Sequence, residues 1–438
     1  MNAPRARRRA RVAAVVTVGL LATTVAPTGT APAAGVGPGD PAGNRAAATS
    51  DAGRHTAAAV GSHSYSNMAR IGDPTGLDRA GLRQAAVRQA GAVRAVSDPA
   101  DGIIEQCRND PRADGSRGHV FHRLVWCQEH GFTAQAWDTS GQLIGEASLQ
   151  YVAVAWGDYH GRTILIELKR TSVGAHWGVY GDPDDTRFSL VPECADVGHD
   201  DGCRINGDPV DRSLTGWTGD DTWNTWLITS DETKSTRPDL LSRHRWRLTA
   251  KVVSDEAPVW SDAGRTAYHL VRCDSATYFA NRPRACINDD VIPYLTYQVD
   301  APSEVSVRDV ALHIRRAQYF PDSTFPPAQD PKLIPGAYRD GAPTDNGLHR
   351  IPTSDEGPNR AVVRSTCAQF VPPIDEEQCD EYPFAATMEG AASPIWDFSV
   401  QGVDATHNSR AGSYLRWYLF WDRILYEDRD SFYVNIVD

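Results

Sequence analysis

Residues 379–390 read CDEYPFAATMEG. Two acids, Asp380 and Glu381, directly follow a cysteine and precede an aromatic-proline turn. Taken alone, such a pair is ordinary surface charge on a turn beside a disulfide. The chemical reading is hydrolysis of a phosphodiester, which needs a deprotonated water in line with phosphorus and positive charge on the phosphate and the departing oxygen. A carboxylate, or an imidazole titrating near 6.5, can supply the base, worth roughly 10²- to 10⁴-fold. A divalent cation on oxygen ligands, Mg²⁺ or Mn²⁺, can supply the positive charge. Two adjacent acids also repel each other, which raises one of their pKa values unless a cation sits between them.

A second group lies at 406–412, THNSRAG, where His407, Asn408 and Ser409 precede an apolar run ending at Trp421. Asn408 and Ser409 stand where a helix N-cap belongs, with the helix expected from about Arg410, and capping alone would account for both. His407 reads either as a base or phosphate contact or as an exposed loop residue. Arg410 and Arg416 suit phosphate contact or plain helix solvation. Glu389 supports the acid pair or is simply solvated.

These residues must be placed by the rest of the chain. Arg5, Arg7, Arg8, Arg9 and Arg11 are followed by the apolar stretch VAAVVTVGLLATTVA and by small residues up to Ala34. That order is a secretory signal peptide at 1–34, too short an apolar run to span a bilayer comfortably, and predicts a secreted, extracellular, membrane-free mature protein. Removing it takes away five arginines and no acid, so the formal net charge of −12 becomes −17. Such an acidic protein is not one that grips nucleic acid by an extensive lysine and arginine surface. A polyanionic substrate would require cations recruited locally.

Eight cysteines in an exported chain favour disulfides over metal thiolates. They fall as sequence-local pairs: Cys107 with Cys127, Cys194 with Cys203, Cys273 with Cys286 and Cys367 with Cys379. The histidines show no HxH or HExxH spacing, so a zinc site in the β region is not expected.

Residues 35–75 lack apolar periodicity and are expected to be a disordered linker; 76–100 read as a helical segment. From 101 to 300, short alternating runs such as HRWRLTAKVV, separated by Gly, Asp and Pro clusters, predict a disulfide-stapled, mostly antiparallel β domain whose tryptophans sit in the core. SVRDVALHIRRAQ places Val307, Val310, Ala311 and Ile314 at helical spacing. A long proline-rich irregular segment follows at 321–358, and after Cys379 come strand FSVQGV, a helix to Trp421 and strand SFYVNIV.

In that region CDEYPFA, THNSRAGSYLRWYLFWDRIL and DRDSFYVNIV together resemble the deoxyribonuclease NucA/NucB domain family, over about residues 300–438. The resemblance implies an α+β chain ending in a small ββα-metal-type nuclease domain, 301–438, in which a hairpin and a helix hold one divalent cation. It implies a DNA endonuclease without sequence specificity, with Asp380 as general base and Glu381 and Asn408 at the metal; Glu389, on the same motif, and Arg410, near the helix start, are candidates for support or phosphate contact. His407 stands where the family has an acidic or polar residue, Ala411 replaces a frequent Gln, and the turn Glu427-Asp428-Arg429-Asp430 lacks the family's glycine. The base is thereby open between Asp380 and His407. A monomer is expected, with the ligand of the β domain unassigned. The rival reading is a secreted binding protein with a degenerate nuclease-like domain.

Overall fold

The computed structural model describes residues 45–48 and 101–438, except 159, 198–201, 345 and 373. The expected leader at 1–34 and the helical segment at 76–100 lie outside the described residues. Within the expected linker, strand β1 (Arg45–Ala48) pairs antiparallel with residues 134–137, so that stretch is not wholly without structure.

The β-rich half begins with helix α1 (Asp101–Asn109) and contains β2 (His119–His122), β3 (Val125–Trp137), β4 (Leu143–Gly157), β5 (Thr163–Gly178), β6 (Arg187–Asp196), β7 (Cys203–Asn206) and β8 (Val210–Ser213). Helix α2 (Leu214–Gly219) leads to β9 (Asn224–Ser230), β10 (Ser242–Val253), β11 (Ser261–Arg265), β12 (His269–Asp274) and β13 (Ala285–Asn288). One sheet runs β1-β3-β4-β5-β9-β7 with β2 on β3, and the other runs β13-β12-β10-β6-β8 with β11 on β10. β10 shows why these runs form strands. His244, Trp246, Leu248, Ala250 and Val252 are buried while Arg243, Arg245 and Lys251 are exposed, the period-two pattern of a strand with one face in a core. Trp126, Trp226 and Trp246 meet in that core between the sheets. These three are core residues, whereas Trp177 and Trp260 of the same half are exposed, so the expectation of core tryptophans holds only in part.

The C-terminal half comprises β14 (Tyr294–Gln298), α3 (Arg308–Tyr319), β15 (Ala337–Arg339), β16 (Ala342–Pro343), α4 (Gly357–Phe370), β17 (Glu377–Tyr382), β18 (Ser399–Asp404), α5 (Ala405–Trp421) and β19 (Tyr433–Val437). β19 pairs in parallel with both β14 and β15 in a four-stranded mixed sheet, while β17 and β18 form a separate two-stranded antiparallel hairpin. Thus β14, which sequence patterning groups with the β-rich half, belongs by pairing to the last strand. The proline-rich segment is irregular up to 356 apart from β15, β16 and single turns. Helix α4 was not anticipated, because only Asn359, Val363 and Cys367 of it are buried and its stripe is correspondingly thin.

All four disulfides join the pairs nearest in sequence. Cys367–Cys379 ties α4 to β17 one residue before Asp380. The two halves also share buried charge. Arg423 makes three hydrogen bonds to the Asp274 carboxylate at 2.6–3.0 Å, and Asp430 accepts from Arg123 at 2.7 and 3.1 Å and from Arg272. Residues Asn44–Asp438 accordingly group as one compact unit. Among the described residues no helix is long and apolar enough to cross a membrane.

Candidate active site

Hairpin β17–β18 runs directly into α5, giving a strand-strand-helix unit. The helix begins earlier than residue spacing suggests. Asp404 is its N-cap and accepts from the Thr406 and His407 amides at 2.8 and 2.9 Å, so THNS is the first helical turn and neither Asn408 nor Ser409 is the cap. Those amide bonds, led by His407, hold the Asp404 carboxyl below its ordinary range. Asp404→Ala is therefore expected to lower the melting temperature of the full chain by calorimetry, and Asn408→Ala to lower it less, since Asn408 caps nothing.

Strand alternation sends Asp380 and Glu381 to opposite faces of the hairpin. On one face α3 packs over Asp380 and Tyr382. On the other lies α4, tied to Cys379. Among the described residues β18 is the only strand partner of β17, whose other edge is free of strand pairing. Along that edge α5 brings Asn408, whose amide donates to the Cys379 carbonyl and to Gln378 Oε1, each at 3.3 Å. A cleft of about 640 Å³ results, lined by Asp380, Glu381 and Asn408 together with Arg350, Arg360 and Arg416.

The electrostatics follow from this placement. Burial, and then the neighbouring Asp380 charge, push the Glu381 carboxyl up to about 7; the Ala385 amide at 3.3 Å and the Arg360 charge work against them. Arg350 is half-buried, donates to the Ile424 carbonyl at 3.1 Å and lies 4.7 Å from the Tyr426 ring centroid. Arg360 is held by Glu356 at 3.0 Å. Arg416 is exposed on α5 and donates to Ser413 Oγ at 3.1 Å.

Three other candidate residues are not brought to the cleft. His407 turns toward α3, its Nδ1 3.5 Å from Asp309 Oδ2. Glu389 accepts from the His349 amide at 2.8 Å and pairs with its imidazole, fixing the loop at 349. Arg410 donates to the carbonyls of Ser303 and Ser306. Each is spent on a neighbouring segment that lies far away in sequence.

Residues 351–435 match the family model for deoxyribonuclease NucA/NucB. The C-terminal region carries a NucA/NucB deoxyribonuclease domain. The match spans α4, the hairpin, α5 and most of β19, and so includes the strand-strand-helix unit and every acid of the cleft. No curated protein and no solved structure gives a match to the chain. A NucA/NucB domain implies a hydrolase with DNA as substrate. Residue patterning missed the cleft arginines Arg350 and Arg360, and also a side chain on α3, which lies before the matched span. His313 Nδ1 stands 2.6 Å from Asp380 Oδ2. The available signal was a polar residue on the buried stripe of α3, three positions after Val310.

Proposed function

We propose that the protein is a secreted endonuclease that hydrolyses DNA phosphodiesters in the cleft beside β17, without sequence preference, using a divalent cation. The observation that carries this reading is the convergence of Asp380, Glu381 and Asn408, from a strand and a helical first turn, on a cleft that also presents three arginines. Asp380 is the general base. Its oxygen not occupied by His313 accepts the proton of the attacking water. Arg350, Arg360 and Arg416 hold the phosphate and leave base edges unread, which accounts for a lack of sequence preference. Four disulfides support an exported protein.

The donor set suits a hard cation. Glu381 and Asn408 offer oxygens, Asp380 lies adjacent, and Mg²⁺ or Mn²⁺ keeps several waters, so few protein ligands suffice. The raised Glu381 carboxyl fits the same view, because a cation would relieve the repulsion between the two acids. When bound, the ion would neutralise charge on the phosphate and the leaving oxygen. Plasmid DNA incubated with the secreted protein should be degraded with Mg²⁺ or Mn²⁺ and spared with EDTA. No cleavage under any of these conditions would favour a binding protein with an inactive nuclease domain.

The Glu381 shift makes a separate prediction. A Glu raised in the folded state destabilises the metal-free protein as pH climbs from its unfolded value to about 7. Ionised Glu381 then becomes available as a ligand. The rise in melting temperature on adding Mn²⁺ should consequently be larger at pH 8 than at pH 5.5. Equal increments at the two values would remove Glu381 from the metal site.

A further inference from the structure

His313 lies outside residues 351–435 and is only 1 % exposed. It occupies the apolar face of α3, among Val310, Ala311, Ile314 and Ala317, where a leucine would pack without desolvating an imidazole and a carboxylate. Its ring reaches two groups: Nδ1 lies 2.6 Å from Asp380 Oδ2, and Nε2 lies 2.7 Å from Ser399 Oγ. Hairpin register makes this possible. Asp380 opposes Gln401 and Tyr382 opposes Ser399, so Asp380 and Ser399 share one face on a diagonal. α3 reads that face at three points, with Arg316 on Gln401, His313 on Asp380 and Ser399, and Gln318 on Tyr382.

We propose that His313, braced by Ser399, is the positioning residue for Asp380. The inference rests on the nuclease reading above. The ring donates Nδ1–H to Asp380 Oδ2 and accepts the Ser399 hydroxyl proton at Nε2, which fixes both tautomer and ring plane. With Oδ2 engaged by a charge-assisted bond, the other carboxylate oxygen is presented to the cleft in one rotamer. Ser399 is fully buried, so its hydroxyl has no competing water. Without the ring, Asp380 keeps its carboxylate but loses its alignment, and a misplacement of about 1 Å costs on the order of 10²-fold.

The test measures kcat, KM and melting temperature on plasmid DNA with Mg²⁺ for the full chain and its variants. His313→Leu should lower kcat about 10- to 100-fold, as loss of an orienting partner commonly does, with KM little changed. His313→Asn, whose amide nitrogen can stand near the Nδ1 position, should recover most of that loss. Ser399→Ala should give a smaller fall in kcat. A control exists in the β-rich half, where buried His244 makes the same pair of contacts, to Asp196 at 2.7 Å and to Ser230 at 2.8 Å. His244→Leu should lower melting temperature and leave kcat unchanged. The proposal is overturned if His313→Leu keeps the wild-type kcat, if His313→Asn is no faster than His313→Leu, or if the kcat losses do not exceed that of His244→Leu. Should His313→Leu fail to fold, Ser399→Ala decides: slowed turnover supports the proposal and wild-type turnover overturns it. A wild-type chain that cuts nothing brings down the nuclease reading and this inference with it. Cleavage by wild type, none by Asp380→Asn and full activity in His313→Leu overturns the positioning role alone.

Discussion

Asp380→Asn is expected to lower turnover on plasmid DNA by two or more decades while shifting the melting temperature little. The amide keeps the shape of the side chain and can still bond to the His313 ring, but it cannot take a proton from water. Loss of a general base costs roughly 10²- to 10⁴-fold. The same measurement separates the two candidate bases. His407→Ala should stay near wild-type activity, because its ring is turned to Asp309 at 3.5 Å and does not line the cleft. If Asp380→Asn is fully active and His407→Ala is dead, the acid pair is only a charged strand end and the base is the histidine.

A chain starting at about residue 295 is expected not to fold, although it retains the whole cleft. Arg423, 1 % exposed, would lose Asp274, and Asp430 would lose both Arg123 and Arg272. Breaking one buried pair by removing a partner costs about 3–5 kcal/mol, against a total stability of about 5–15 kcal/mol for a typical protein. Several such losses together exceed what the small C-terminal core can offset. In the intact chain, Asp274→Ala should cost about 3–5 kcal/mol by urea denaturation, because it leaves Arg423 buried and unpaired. Burial would push the Asp430 carboxyl up, yet Arg123 and Arg272 hold it low, at about 2. Its contribution is therefore present above the unfolded carboxylate range and lost as pH falls below it. A fragment that melts cooperatively and nicks DNA would show instead that the β-rich half is dispensable.

Local pattern was sufficient for whatever depends on a few neighbouring residues. Alternation in HRWRLTAKVV specified β10 and its buried face, helical spacing placed the apolar stripe of α3, and cysteine proximity was enough for all four disulfides. Asp380, Glu381 and Asn408, singled out because they sit in short ordered motifs resembling one nuclease family, do line one cleft. What sequence left open was the use of each polar group once distant segments met. His407 and Arg410 stand beside Asn408 in sequence, yet helical geometry turns them toward α3 and the 303–306 loop. Glu389 is consumed by His349, and Asp430, read as part of a turn, is the partner of two arginines more than 150 residues away in sequence. His313 had no motif at all. Its role arises only because the hairpin register sets Ser399 diagonal to Asp380 and because α3 packs across both. Periodicity is written in the backbone geometry of each element, whereas a hydrogen-bond partner is chosen by the packing of elements against one another.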